Sequence, residues 1–271
     1  MKKFFKVTYL VFVVLVIGVI QSATAETLRV AFECTYAPFN YRTASGELDG
    51  YDVDVAKGVL ELIGEEMEPV CQKWDGMIPS LLANKFDLIV ASMSITNSRL
   101  KKMDFSAPYR VSIGRLIGKK NANLNLFKND DPSKPIPANF KGLRVGVERA
   151  STYANWFKAK IPEANLVFYD TNAALFMDLE NGRTDMIITN PMKAFLKFLS
   201  KENGKGFEFV SPAIDEVEYF GIGVGIGLRK GNDKLLERLN MAVNQLIKNG
   251  SLTKYALKYF PFPIHNEKWG Q

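Results

Sequence analysis

Strand-like runs alternate with helix-like runs along most of the chain, and this alternation restricts the folds open to it. Apolar runs and segments with helical spacing follow one another at residues 28–32, 52–63, 69–72, 77–84 and 86–91. Asp52 is placed to cap the first predicted helix, and Gly64 to end it. Strands that alternate with helices pair in parallel. The pattern therefore predicts an α/β fold with a largely parallel sheet covered by helices.

A second series of the same kind follows a polar loop at residues 121–141. Its predicted strands and helices are residues 143–147, 151–159, 166–169, 173–179, 185–189 and 192–199. A glycine-rich strand at 221–229 and helices at 233–248 and 252–259 complete the chain. The glycines of that strand alternate with Ile and Val, and no Gly-Lys-Ser/Thr follows, which argues against a phosphate-binding loop. We expect two α/β units side by side.

The first 25 residues have the features of a secretory signal peptide. Three lysines precede an apolar run at residues 9–20, and Ala23-Thr24-Ala25 forms a cleavage site of the small-x-small kind. The run is shorter than the roughly 20 residues that span a bilayer, which disfavours a membrane anchor. The absence of a cysteine at the cleavage site disfavours a lipid anchor. We expect cleavage near Ala25 and a soluble mature chain outside the inner membrane.

Composition argues against several classes of function. Because three of the lysines lie in the signal peptide, cleavage lowers the formal net charge from +6 to +3, an excess too small and dispersed to indicate nucleic acid. One histidine, His265, and two cysteines cannot build a multi-ligand His/Cys metal site. No cofactor is expected. Cys34 and Cys71 end two predicted strands, where two buried thiols are expected, and export leaves a disulfide open.

Three short clusters follow strands of the first unit, at the edge where open α/β sheets bind ligands. They are residues 33–39, 74–75 and 91–99. In the third, Thr96 is a natural N-cap, so Arg99 falls in the first helical turn, where its charge opposes the helix dipole. A guanidinium beside free backbone N–H groups and serine hydroxyls suits a carboxylate. A surface ion pair for Arg99 is the alternative.

The first two clusters carry the opposite charge. Glu33, near the aromatic faces of Tyr36 and Trp74, can hold a cation by ion pairing and cation–π contact. A zwitterion with a basic tail would satisfy both Glu33 and Arg99. Core packing of the two aromatic side chains and a solvated Glu33 are the alternatives that these residues leave open.

At these clusters the chain resembles the polar amino-acid binding proteins of ABC importers, the extracellular solute-binding family that includes lysine/arginine/ornithine, histidine, glutamine, cystine and opine receptors. The matching stretches run in family order over nearly the whole mature chain, at residues 35–39, 50–56, 74–81, 86–87, 94–96 with Arg99, 104–109, 145–147 with 151–152, and 224–230. The resemblance implies a two-lobed type II periplasmic binding-protein fold, with the ligand cleft between two mainly parallel sheets flanked by helices. Residues 26–112 and 221–271 would form lobe 1, and residues 113–220 lobe 2.

The function implied by the resemblance is amino-acid uptake without catalysis. A monomeric periplasmic protein would bind a cationic or polar amino acid, similar to arginine or lysine, and close on it by a hinge motion. The closed form would dock on an inner-membrane ABC permease that works with a cytoplasmic ATPase.

Roles for individual residues also follow from the resemblance. Arg99 would hold the ligand α-carboxylate, helped by Ser94, Thr152 and the backbone around Ser92. The full set of predicted ligand contacts is Glu33, Tyr36, Trp74, Ala91, Ser92, Met93, Ser94, Arg99, Glu148, Ser151, Thr152, Tyr153 and Asn190.

The other end of the ligand would lie among aromatic and acidic residues. Tyr36 and Trp74 would enclose the ligand side chain, and Glu33 would receive its distal amine or guanidinium. Glu148 and Tyr153 lie in the matching segment of lobe 2, where a second carboxylate strengthens the prediction of a cationic ligand.

Asn190 departs from the family pattern. An aspartate at this place usually receives the ligand α-amino group, and an amide offers a hydrogen bond but no ion pair. Asparagine here, together with Glu33, Trp74 and Ala91, is similar to the opine receptors, whose ligands carry a substituted α-nitrogen. A cystine or opine-type conjugate therefore remains an alternative ligand. A periplasmic enzyme such as a cyclohexadienyl dehydratase, with Glu33 and Glu148 as general acid or base, is the alternative from another class.

Overall fold

The computed structural model describes residues 27–266, which form two sheets with helices packed on them. The strands are β1 Thr27–Phe32, β2 Thr35–Tyr36, β3 Asn40–Arg42, β4 Leu48–Asp49, β5 Glu66–Cys71, β6 Leu88–Ile89, β7 Asp104–Phe105, β8 Arg115–Lys119, β9 Arg144–Glu148, β10 Asn165–Tyr169, β11 Met186–Thr189, β12 Phe207–Phe209 and β13 Gly227–Leu228. The α-helices are α1 Tyr51–Ile63, α2 Met77–Leu82, α3 Asn97–Leu100, α4 Thr152–Lys160, α5 Asn172–Glu180, α6 Pro191–Ala194, α7 Val217–Phe220, α8 Asp233–Lys248 and α9 Ser251–Tyr259.

Both five-stranded sheets are mixed. The first has the order β5-β1-β6-β13-β7, and the second β10-β9-β11-β8-β12. In each, the first three strands are parallel, as the βαβ pattern predicts, and the last two pairings are antiparallel. A small sheet of β2, β3 and β4 adjoins the first. The two sheets define two lobes.

The chain crosses between the sheets twice, through residues 106–114 and 210–226. Both crossings are tied together by isolated bridges, Arg110 to Val224 and Gly114 to Ile214. The first strand after each crossing, β8 or β13, enters its new sheet antiparallel to its neighbours, which explains why neither sheet is wholly parallel. The exact division at residues 112/113 and 220/221 stays a prediction.

Each lobe has its own apolar core. In lobe 1, α1, α8 and α9 pack on the sheet, with Phe32, Tyr51 and Leu239 fully buried. In lobe 2, Trp156 and Phe157 of α4 pack with residues of β9 and β11. Two crossings and two separate cores are the arrangement in which one lobe can move as a body against the other.

Three local expectations are wrong. The predicted strand at 221–229 is reduced to β13, because Gly221 has φ +72° and a Cβ there would overlap the Ile95 carbonyl. Asp52 does not cap α1, whose N-cap is Gly50; the Asp52 side chain is buried instead. Cys34 and Cys71 are not free thiols but form a disulfide, with Cα atoms 5.6 Å apart.

Residues 1–25, predicted to be a signal peptide, lie outside the described residues. Within residues 27–266, none of the helices has the length and apolar character needed to cross a membrane.

Candidate ligand-binding site

A buried cavity lies where the two sheets face each other, at the carboxyl ends of β1, β5, β6 and β9. Its lining residues are Glu33, Tyr36, Trp74, Ala91, Ser92, Ser94, Arg99, Arg110, Ser112, Ile113, Glu148, Ser151, Thr152 and Tyr153. Both lobes and the first crossing contribute to it. Its volume is about 30 Å³, room for no more than about two water molecules. An amino acid can enter only when the walls move apart.

Arg99 marks one end of the cavity. The Thr96 hydroxyl caps α3 by accepting from the Arg99 backbone N–H at 3.4 Å, so Arg99 lies in the first turn of the helix, as predicted. The guanidinium donates to the Ser94 carbonyl at 3.0 Å and lies 5.3 Å from the centre of the Trp74 ring. Burial lowers its pKa to about 10. No carboxylate of the described residues comes within 4 Å of it, so this cation is available to a ligand anion.

Two buried carboxyl groups mark another part of the wall. Glu33 follows β1 and accepts from the Thr35 hydroxyl at 2.9 Å, and Glu148 ends β9 and accepts from the Asn172 amide at 2.9 Å. The Thr189 hydroxyl in turn donates to the Asn172 side-chain oxygen at 2.8 Å. Burial raises the pKa of both carboxyl groups, and for Glu148 burial and the charge of Glu33 raise it to about 8. This pair attracts a cation.

Lys193 of α6 brings a cation to the same place. Its ammonium nitrogen lies 3.7 Å from the centre of the Tyr36 ring, in the field of Glu33 and Glu148. The side chain is 4% exposed, and burial lowers its pKa to about 8. Within residues 27–266 no carboxylate oxygen lies within 4 Å of it. A ligand side chain that stacks on this face of Tyr36 must displace the ammonium.

Arg110 lines the cavity from the first crossing. Its guanidinium lies 4.4 Å from the centre of the Phe39 ring and donates to the Val111 carbonyl at 2.7 Å. Its Nε–H is buried without a hydrogen-bond partner. Asp52 attracts it, but the Asp52 oxygens are already bonded to Asn40, Ser92 and Tyr109 at 2.7, 2.7 and 2.9 Å.

Serine hydroxyls complete the polar wall. Ser94 and Ser112 share a hydrogen bond of 2.7 Å, and the Ser92 hydroxyl donates to Asp52. Ser151 caps α4 by accepting from the Ala154 N–H at 3.1 Å. Thr152 therefore stands at the first position of a helix, where N–H groups favour an anion.

Most of the predicted contacts come together in this cavity. Met93 and Asn190 do not line it. Met93 packs in an apolar cluster under β6, and the Asn190 oxygen accepts from the Met192 and Lys193 N–H groups as the N-cap of α6. The ligand roles of both residues stay predictions.

Four residues at this site were not predicted from the sequence: Arg110, Ser112 and Ile113 in the wall, and Lys193 beside it. Arg110 directly follows a stretch that carries the family resemblance, so its position could have drawn attention. A single lysine in a predicted helix gave no comparable signal.

Comparison with known proteins identifies the family. The model of the bacterial extracellular solute-binding proteins, family 3, matches residues 28–262, and the chain belongs to this family. The L-arginine-binding protein of Pseudomonas aeruginosa is 35% identical over 245 residues, which are 90% of this chain and 91% of that protein. The expected two-lobed α/β fold is confirmed.

Two similar solved structures support the same fold. A Salmonella typhimurium periplasmic binding protein, described as having high arginine specificity, superposes with a TM-score of 0.75 at 28% identity, over 87% of this chain and 100% of that one. An ancestral amino acid-binding protein, described as a precursor of cyclohexadienyl dehydratase, has a TM-score of 0.72 at 29% identity, over 86% and 95% of the two chains. All three similar proteins are binding proteins by name.

Proposed function

We propose that the chain is the periplasmic ligand-binding component of an ABC importer, and that its ligand is an amino acid with a basic side chain. The observation that carries the proposal is that one cavity has a buried arginine at one part of its wall and two acidic side chains at another. Arg99 has no carboxylate partner there, and the Glu33 and Glu148 carboxyl groups gather at another part of its wall. An amino acid with a carboxylate at one end and a cation at the other complements both.

The proposed contacts follow from this charge arrangement. Arg99 binds the α-carboxylate by charge-assisted hydrogen bonds, with the N-terminus of α4 at Thr152 beside it. The ligand's basic end takes the place of the Lys193 ammonium on Tyr36 and faces Glu33. The arginine-binding relative and the arginine-specific structure support a basic ligand.

The cavity's small volume makes a lobe movement part of the proposed function. Residues 26–112 with 221–271 would separate from residues 113–220, admit the ligand and close on it. The closed form would then dock on an inner-membrane permease. Residues 1–25 would direct export and be removed, which fits the periplasmic description of the similar Salmonella typhimurium protein.

The test is a thermal-shift screen of mature protein that has been stripped of ligand by unfolding and refolding. The panel contains the standard amino acids, ornithine, cystine, agmatine and several N-substituted amino acids. At a ligand concentration a thousand times Kd, stabilisation is about 4 kcal/mol. We expect L-arginine or L-lysine to raise Tm, and Arg99→Gln to abolish the shift. Arg149→Gln, which removes an exposed arginine paired with Asp170, is the control. A shift with cystine alone, or none with any amino acid, contradicts the proposal.

One observation favours a second candidate. A buried carboxyl with a pKa near 8, as at Glu148, can act as a general acid, and one similar structure is a precursor of cyclohexadienyl dehydratase by description. Chromatographic detection of turnover of a cyclohexadienyl acid, lost in Glu148→Gln, would establish that activity.

A further inference from the structure

Two loops of lobe 1 at the cavity each contain a residue other than glycine in the left-handed backbone conformation. In the β1 loop, residues 33–34, Cys34 has φ +64°, and in the β6 loop, residues 90–93, Ser92 has φ +56°. The two loops are neighbours, because β1 and β6 pair in parallel. A side chain makes this conformation costly, and it persists only where the surrounding structure enforces it, often at a functional site. Contacts from elsewhere in the fold must therefore hold both loops in place.

The Asp52 carboxylate connects the two loops. Its Oδ2 accepts from the Ser92 hydroxyl at 2.7 Å and from the Asn40 side-chain amide at 2.7 Å. The Asn40 side-chain oxygen in turn accepts from the backbone N–H groups of Glu33 and Cys34, at 2.9 and 3.1 Å. One carboxylate oxygen thus contacts the β6 loop directly and holds the β1 loop through a single amide.

The same carboxylate also contacts the first crossing between the lobes. Its Oδ1 accepts from the Tyr109 hydroxyl at 2.9 Å, and its charge attracts Arg110. Asp52 is fully buried as the second residue of α1, a helix of 13 residues that packs in the core of lobe 1. A helix therefore fixes the carboxylate, and the carboxylate joins three separate segments that line the cavity.

The purely structural explanation for Asp52 is that it stabilises lobe 1 through the dipole of α1, since an acidic side chain is favourable in the first turn of a helix. Asp54, which pairs with Lys258 at 2.7 Å, already supplies a negative charge in that turn. Burying a second carboxylate is costly even when it is hydrogen-bonded. The contacts of Asp52 with the two loops account for this cost better than stability does.

We propose that Asp52 is a positioning residue for ligand binding, which holds Ser92 in its left-handed conformation and the backbone at Glu33 in place. The inference rests on the proposed function, in which the β6 loop lies beside the ligand α-carboxylate held by Arg99, and the β1 loop carries the Glu33 carboxyl that faces the basic end. Because Asp52 orders both loops before the ligand arrives, binding does not have to supply the free energy of ordering them.

Two substitutions of Ser92 separate positioning from stabilisation. Ser92→Ala and Ser92→Gly both remove the hydroxyl that donates to Asp52, but only glycine adopts a positive φ without strain. Isothermal titration of stripped mature protein with L-arginine, well below the Tm of each variant, should show binding at least about tenfold weaker than wild type for Ser92→Ala. Ser92→Gly should recover at least about fivefold of that loss.

Substitution of the carboxylate itself gives a second measurement. Asp52→Asn replaces one acceptor oxygen by a donor that faces three donors, and it should weaken L-arginine binding at least about tenfold. Asp54→Asn is the matched control, since it removes the other acidic side chain in the first turn of α1, outside the cavity. Its affinity for L-arginine should stay within about twofold of wild type.

The outcomes separate the inference from the proposed function. If wild-type protein binds L-arginine and Ser92→Gly binds it no more tightly than Ser92→Ala, the inference is overturned and the proposed function stands. Variants of Asp52 or Ser92 that lower Tm and keep wild-type affinity would likewise show a structural role alone. Failure of the wild-type protein to bind L-arginine would overturn both. If Asp52→Asn does not fold, the comparison of the two Ser92 variants decides.

Discussion

Binding of L-arginine is expected to release a proton from Glu148. The pKa of this carboxyl is about 8, raised by burial and by Glu33, so about 90% of the molecules carry a proton there at pH 7. A guanidinium placed beside it favours the ionised form and lowers the pKa. The charged neighbours of Glu148 are Glu33 and Lys193, and the phenols of Tyr36 and Tyr153 remain neutral near pH 7.

The size of the effect follows from linkage. At pH 7 each bound arginine should release up to about 0.9 proton, and the affinity should rise by at most about fiftyfold between pH 6 and pH 8 as the ionised fraction grows. The direction of the pH dependence is fixed, because a pKa that is high in the free protein and lower in the complex makes binding stronger as pH rises. Glu33, whose pKa burial also raises, contributes in the same direction.

Isothermal titration in two buffers of different ionisation enthalpy measures the released protons directly. Binding of citrulline, a ligand of the same length with a neutral side chain, should release few protons. Glu148→Gln should abolish most of the proton release that accompanies arginine binding. Release below about 0.2 proton, together with an affinity that is flat from pH 6 to pH 8, would refute the placement of the basic end beside Glu148.

Other substitutions test other parts of the structure. Glu33→Gln should weaken arginine binding by about 2–5 kcal/mol, because it removes one partner of a buried charge pair; calorimetry that finds unchanged affinity would exclude Glu33 from the site. Lys193→Met should strengthen arginine binding about tenfold, since it removes the competing cation from Tyr36, and weaker binding would show that Lys193 assists the ligand instead. Replacing Cys34 and Cys71 by serine should lower the free energy of unfolding by about 4 kcal/mol, given their separation of 37 residues. Urea denaturation measures this, and a loss under about 1 kcal/mol would contradict the loop-closure argument.

Helices and strands were predictable where the spacing of apolar residues in a segment matches the way that segment packs in the fold. Helix α8 has the predicted bounds, Asp233–Lys248, since its apolar residues repeat at helical spacing and Asn232 caps it. The antiparallel strands β8 and β12 were not predicted, because their partners are set by how the chain crosses between lobes. The strand expected at 221–229 was too long, since positive φ at Gly221 depends on a close approach to Ile95.

At the site, the sequence predicted which residues lie at the cavity better than it predicted which groups those residues contact. Glu33, Arg99 and Glu148 follow predicted strands, and parallel strands bring their carboxyl ends to one edge. The contact between the Lys193 ammonium and the Tyr36 ring could not be predicted, since the two residues are 157 positions apart in the sequence and lie in opposite lobes. The hydrogen bonds that the Asn190 side-chain oxygen accepts from the Met192 and Lys193 N–H groups likewise depend on the turn that it caps.

The most direct test of the proposed function compares L-arginine with agmatine, which has the same guanidinium and lacks the carboxylate. Isothermal titration of stripped, disulfide-bonded mature protein at pH 7.5 should detect arginine binding, with agmatine at least about 100-fold weaker, a difference of about 2.7 kcal/mol that reflects the loss of the partner of buried Arg99. Equal affinities for arginine and agmatine would show that Arg99 does not hold a ligand carboxylate, and would contradict the proposed function at its central contact.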